Sequence, residues 1–165
     1  MDSDGQSAMT KNAIKQALEA HFNDILDLHM AGMSVVNPAL RVEATGFRTL
    51  QEGLLCVLIT PWFMSLILFP QNAEASSDGE VHERDFPAGR YEFTSASDEQ
   101  LGRYESCPLF TPMFEFDSHE QAVRVADTII HSLMTEKPDK EPSRVSDAPS
   151  RRDLFRAFAR RARDA

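Results

Sequence analysis

Residues 53–70 read GLLCVLITPWFMSLILFP, a run without one charged side chain in a protein of formal net charge −9. Its length sits at the lower bound for a membrane-spanning helix, which needs roughly 20 apolar residues to cross the hydrocarbon core. Pro61 argues against a helix, because a mid-helix proline removes a hydrogen bond and clashes with the preceding turn. Val57, Ile59 and Thr60 just before it are β-branched, which favours strands. The run parses better as two short strands, 54–60 and 63–69, meeting at Pro61-Trp62. Strands this uniformly apolar are covered on both faces, although periodicity alone does not separate them from a buried helix.

At 165 residues and 42% hydrophobic, the chain fits one domain whose core needs neither a disulfide nor a structural metal. Cys56 and Cys107 form no C-x-x-C pair and no metal-ligand spacing, which suits a reducing compartment. The first residues lack a basic stretch followed by an apolar one, so no secretory signal, no integral membrane span and a cytoplasmic location are expected. The acidic balance speaks against general nucleic-acid binding, which needs Lys and Arg to neutralise phosphates. Charge is unevenly spread: residues 149–165 carry six arginines against Asp153 and Asp164, an asymmetry that marks an interaction tail.

Ile14, Leu18, Phe22, Ile25, Leu26 and Met33 recur at helical spacing, predicting an amphipathic helix over about 12–32 that Gly32 and Asn37-Pro38 end. Leu40, Val42 and Ala44 alternate with polar residues as a strand leading to Gly46. Residues 71–90 read as a polar, acidic loop. Tyr91 to Thr94 and Met113 to Phe116 alternate again, predicting two strands around the segment that holds Tyr104 and Cys107. Ser118 and Gln121 form a capping box before the apolar stripe Ala122, Val125, Ala126, Ile129, Ile130 and Leu133. The expected organisation is a flexible segment 1–11, a domain 12–135, a linker 136–150 and a basic arm 151–165, in which Ser150 and Asp153 could cap a short helix. The fold class is α+β, a single domain with an antiparallel sheet covered by helices.

Chemistry has no obvious home: there is no G-x-G-x-x-G, Walker A, H-E-x-x-H or G-x-S-x-G motif, and no cofactor or metal is expected. His21, His29, His82, His119 and His131 scatter over exposed or helix-edge positions, where surface or interhelical contact is the ordinary role. Cys56 reads as core, and Cys107 as an inert thiol unless a histidine lies beside it. Trp62 is either a core plug or, with Phe63, Met64, Phe110 and Met113, part of a soft apolar surface that accepts varied peptides. The arm, with Leu154, Phe155 and Phe158 beside its arginines, also has the make-up of an interfacial helix, so a membrane-surface adaptor is the alternative function.

Leu58-Ile59-Thr60-Pro61-Trp62-Phe63-Met64, closed by Pro70, resembles the signature of the HybE/HupJ family of [NiFe]-hydrogenase assembly chaperones. Two further blocks are similar to family elements: Gly102-Arg103-Tyr104-Glu105-Ser106-Cys107-Pro108-Leu109-Phe110-Thr111-Pro112-Met113, and Ser150-Arg151-Arg152-Asp153-Leu154-Phe155. The third departs slightly, with Arg156 and Ala157 where relatives tend to show a glycine. Some relatives carry a fused rubredoxin with paired C-x-x-C motifs; this chain has none, so no iron site carries over. The resemblance implies a non-catalytic cytoplasmic chaperone. Its clients would be a hydrogenase small-subunit precursor with its twin-arginine signal peptide, with the large subunit and other maturation proteins as further partners. Candidate partner-binding residues on these blocks are Thr60, Pro61, Trp62, Phe63, Met64, Tyr104, Cys107, Phe110, Met113, Arg151, Arg152, Leu154 and Phe155.

Residues 150–156 also resemble a twin-arginine signal carried at the wrong end of the chain. Tethered by a short linker, such a mimic would act at an effective concentration of roughly millimolar and compete with a client in cis. Deleting residues 150–165 is then expected to tighten binding of an isolated signal peptide in a titration; weaker or unchanged binding refutes competition.

Overall fold

The computed structural model describes residues 3–71 and 77–135. The elements are α1 (Ser3–Ile25, continued by a π-helical turn Leu26–Met30), β1 (Glu43–Thr49), β2 (Gly53–Ile59), β3 (Met64–Pro70), β4 (Val81–Phe86), β5 (Gly89–Asp98), β6 (Gly102–Phe110) and α2 (His119–Leu133). The strands form one antiparallel sheet in the order β1-β2-β3-β6-β5-β4, two three-stranded meanders joined where β3 pairs with β6. This is the expected α+β domain with helices on an antiparallel sheet. Among the described residues no helix is long and apolar enough to cross a membrane.

The charge-free run forms the hairpin β2–β3, and pleating sends its side chains alternately to the two faces. Leu55, Val57 and Ile59 with Met64, Leu66 and Leu68 pack beneath Ala122, Val125, Ala126, Ile129, Ile130 and Leu133 of α2. Cys56, Leu58 and Ile67 face the other way, against Leu18 and the half-buried Ile14, Phe22 and Leu26 of the first helix. Each large side chain so covered contributes about 1.5–3 kcal/mol. Ser118 starts α2 by accepting the Gln121 N–H at 3.2 Å, while the Gln121 side chain reaches back to the Asp117 N–H at 2.8 Å.

Edge strand β1 is occupied rather than bare. Lys15 donates to the Ala44 carbonyl at 2.6 Å, and the Ala44 N–H donates to Glu19 at 3.1 Å, so two α1 side chains take both backbone groups of Ala44. A bulge between Thr45 and Arg48 then bends the strand, with Gly46 at φ +70° under Ile130.

Several sequence expectations are corrected. α1 begins at Ser3, not near Asn12, and Met33 lies beyond the helix, 49% exposed. The expected loop 71–90 contains β4, whose exposed Glu83 and Asp85 alternate with half-buried His82, Arg84 and Phe86; charges on a half-wet edge strand look like loop composition. The strand expected at Met113–Phe116 lies upstream as β6. Met113 and Phe116 are instead the two buried ends of a turn that follows the cis Thr111-Pro112 bond. The expected linker and arm, with Arg151, Arg152, Leu154 and Phe155, lie outside the described residues.

Gly53 closes the β1–β2 turn at φ +151°, where an added Cβ would sit 2.0 Å from the Phe69 carbonyl oxygen. Gly53→Ala is expected to cost about 2–4 kcal/mol in denaturant melts, since backbone on both sides must shift. Gly46→Ala, whose Cβ would meet only the Ile130 side chain at 3.0 Å, costs less.

Candidate partner-binding site

The β2–β3 turn is built by one hydroxyl. Thr60 Oγ1 accepts the Phe63 N–H at 2.9 Å and the Trp62 N–H at 3.3 Å, and its own hydrogen goes to the Phe63 carbonyl at 3.0 Å. Thr60 and Pro61 are buried; Trp62 and Phe63 are half-buried on the outer side of the corner. Behind the corner stands Asn37, 7% exposed, a residue that the sequence marks only as part of a helix stop. Its side-chain amide donates to the Met113 and Phe116 carbonyls, both at 2.9 Å, and its backbone N–H donates to the Pro61 carbonyl at 2.8 Å. One residue thus ties the corner, through its backbone N–H, to the turn after β6, through its side chain. Losing that amide would leave the Phe116 carbonyl without its donor at about 1–3 kcal/mol, while the Met113 carbonyl would keep the Phe116 N–H at 3.3 Å.

The segments that meet at Asn37 carry exposed apolar side chains among exposed charges such as Glu115 and Asp117. Phe114, between the two tethered carbonyls, is 52% exposed, and Met33 and Val35, just before Asn37, are 49% and 41% exposed. The soft surface expected of Trp62, Phe63, Met64, Phe110 and Met113 is therefore divided by the fold. Met64, Phe110 and Met113 are core residues, and Phe114, Met33 and Val35 stand at the surface with Trp62 and Phe63.

An aromatic row leads from the corner to α1: Trp62 and Phe63 meet edge to face at 5.6 Å, Phe63 and Phe22 at 5.7 Å, and Phe22 and His21 at 5.1 Å. His21 is also one wall of a cleft of about 270 Å³, lined further by Asp24, Ile25, Leu28, His29, Asp98, Glu99 and Gln100. The cleft carries three carboxylates and no Lys or Arg, and Leu28 on its rim is 76% exposed. His21 lies 3.5 Å from Asp98. The Gln100 N–H holds the Asp98 carboxyl below its ordinary value against the opposing effect of desolvation, helped by the Leu101 N–H and His21. A negative charge is thus fixed in the cleft. Neither the cleft nor its link to Trp62 could be read from the sequence, because α1 and the β5–β6 turn are more than seventy residues apart.

Tyr104 is half-buried on the α1 face, 6.2 Å from Phe69, with its phenol pushed up by burial and then by Asp98 and Asp78. Cys107 is buried on the α2 face. His119, expected at a helix edge, is 3% exposed: its Nδ1 accepts the Arg41 N–H at 3.2 Å and its Nε2 meets Glu43 at 2.8 Å, a structural tie between α2 and β1. No group of three or more metal-ligating side chains occurs among the described residues.

Comparison with known proteins agrees with this architecture. The sequence profile of the family described as "[NiFe]-hydrogenase assembly, chaperone, HybE" matches residues 13–157. HoxT of Azotobacter vinelandii, a hydrogenase expression/formation protein, is 41% identical over 86% of this chain and 94% of its own. HupJ of Rhodobacter capsulatus, a probable rubredoxin, is 36% identical over 79% of this chain but only 48% of its own length. The solution structure of HybE from Escherichia coli superposes with a TM-score of 0.62, at 24% identity, over 79% of this chain and 85% of that one, which supports the fold.

Burial pushes the Cys56 thiol up to about 12, slightly offset by Lys15. The folded state therefore favours the neutral thiol. That contribution is whole below the ordinary thiol value of 9.0 and is lost as pH climbs toward about 12. Denaturant melts are expected to show this component of alkaline destabilisation in the wild type and not in Cys56→Ala, and native protein at pH 8 should label with iodoacetamide at Cys56 only through unfolding.

Proposed function

The chain belongs to the HybE family of [NiFe]-hydrogenase assembly chaperones, and from that premise we propose that it holds the precursor of a hydrogenase small subunit by its twin-arginine signal peptide until the subunit is complete. The observation that carries this reading is the acidic cleft at His21, Asp24, Asp98 and Glu99, continued by the aromatic row to Trp62. A signal peptide offers a basic segment followed by 7–15 apolar residues. The cleft presents carboxylates to the first part, and Phe22, Phe63 and Trp62, with the exposed Leu28 on the cleft's rim, present apolar surface to the second. Holding the signal in the cytoplasm delays export of an unfinished enzyme, a task that asks for binding and release rather than catalysis. The large subunit, reached through the same precursor complex, is a second client on this reading.

Co-purification with tagged small-subunit precursor, with and without its signal peptide, tests the proposal: capture is expected only with the signal. Trp62→Ala should weaken binding of the isolated signal peptide roughly ten-fold or more, as a partly exposed aromatic anchor does. Its stability loss should be below the roughly 3–5 kcal/mol of a fully buried Trp. Asp24→Asn with Asp98→Asn should weaken binding of the basic segment and flatten its salt dependence. Equal capture of precursor lacking its signal, or a Trp62→Ala variant that melts early yet binds like the wild type, would overturn it.

A further inference from the structure

Pleating gives the β4–β5–β6 half of the sheet its own surface on the α1 side, set by the pairs Glu83 with Glu92, Val81 with Thr94, and Thr94 with Ser106. The first helix leaves most of it open. Its cluster covers β1, β2 and β3 through Ala44, Cys56, Leu58 and Ile67, and ends at Tyr104 of β6. Beyond that limit Val81, Glu83, Asp85, Glu92 and Thr94 are all exposed, Val81 at 55%. The α2 side of the same strands is closed, with Phe93, Ser95 and Glu105 buried. One half of one side of the sheet is therefore bare.

Its charge is one-sided. Glu83 and Glu92 stand directly opposite each other, and like charges so placed are destabilising. Arg90, the one basic side chain on this surface among the described residues, is shared between Glu83 at 3.3 Å and Asp85 at 2.8 Å. Three carboxylates thus stand against one guanidinium. Beside them Val81 and Pro108 are exposed and the Tyr104 ring is half-buried, so the surface is also partly apolar. What fits it is a segment that carries several guanidinium groups and a few large apolar side chains. A second copy of the same surface does not, because it is acidic as well.

We propose that residues 151–165 of this chain cover this surface in cis. They carry six arginines against Asp153 and Asp164, with Leu154, Phe155 and Phe158 among them, which is the chemistry the surface calls for. The chain also leaves the described part of the fold in the right place. The Leu133 carbonyl at the end of α2 accepts the Ala88 N–H of the β4–β5 turn at 3.2 Å, so the chain departs beside the strands concerned. Residues 136–150 can extend to about 50 Å, several times the roughly 10 Å between one layer and the next. A segment tethered in this way acts at roughly millimolar effective concentration, so a contact with a dissociation constant of that order is already half occupied. The contact does not draw on the signal-peptide reading, since it forms with no client present.

The test is paramagnetic relaxation in NMR spectra of the full chain, spin-labelled at Ala159→Cys while the buried Cys56 and Cys107 stay unreacted. Broadening is expected at the amides of Val81, Glu83, Glu92 and Thr94, and not along α2 on the other side. It should persist on dilution and be absent from isotope-enriched protein without the label when spin-labelled, unenriched protein is mixed in. Glu83→Gln with Glu92→Gln should lower the docked-to-free ratio roughly three-fold or more, as loss of exposed ion pairs does. Glu120→Gln with Asp127→Asn, two exposed α2 carboxylates, should leave it unchanged. Broadening centred on Asp24 and Asp98, spread over both sides of the sheet, or unmoved by the Glu83 and Glu92 changes would overturn the proposal. So would broadening carried over into the mixed sample, which would seat the segment on a second copy. If the Glu83 and Glu92 variant does not fold, raised salt decides in its place: broadening at Thr94 that survives screening in full would overturn the contact.

Discussion

Everything in this domain depends on a hairpin that has no polar face. β2 and β3 expose nothing that water would solvate favourably, so a single helix could cover only half of the problem. α1 and α2 answer it from opposite sides, and the sheet grows outward from the shared centre into strands that become progressively wetter. β5 and β4 are the outcome of that gradient: their α1-side positions, such as Glu83, Asp85 and Glu92, are exposed. The two helices also define two different environments on one sheet, an apolar face under α2 that turns polar at Glu105, and an aromatic face under α1 that ends at an acidic cleft.

The corner of that hairpin does two jobs. Internally, the Thr60 hydroxyl and the Asn37 backbone N–H lock it, so a turn flanked by greasy strands keeps one conformation without a glycine. Externally, Trp62 stays half-buried beside Phe63, and Met33, Val35 and Phe114, on the segments that Asn37 joins, are exposed. Rigidity and apolar exposure at one place are what a chaperone needs if it must bind a varied peptide without itself collapsing onto it.

Much of this was legible in the chain. The doubly buried strands followed from an uncharged run cut by Pro61, and the start of α2 from Ser118 and Gln121, because both signals are local. What the sequence hid was either camouflaged or remote. β4 spells Val-His-Glu-Arg-Asp-Phe, and only its pairing with β5 tells which of those charges face inward. Met113-Phe114-Glu115-Phe116 alternates like a strand, yet Asn37, far away in sequence, fixes it as a turn. For the same reason the motif residues part in the fold: Met64, Phe110 and Met113 are buried in the core, while Asp24 and Asp98 lie on elements whose meeting no spacing announces.

The sheet's two borders are unlike. At β1 the outward N–H and C=O of Ala44 are taken by Glu19 and Lys15, and the bulge at Gly46 turns the strand away; β4 has no such cover among the described residues. Growth of a sheet from molecule to molecule needs two receptive borders, one to give and one to take. With a single receptive border, two copies meeting β4 to β4 about a two-fold axis would use up the only vacancy, and assembly by strand pairing would stop there. A sheet bordered in this way carries a built-in limit of two on its growth from molecule to molecule.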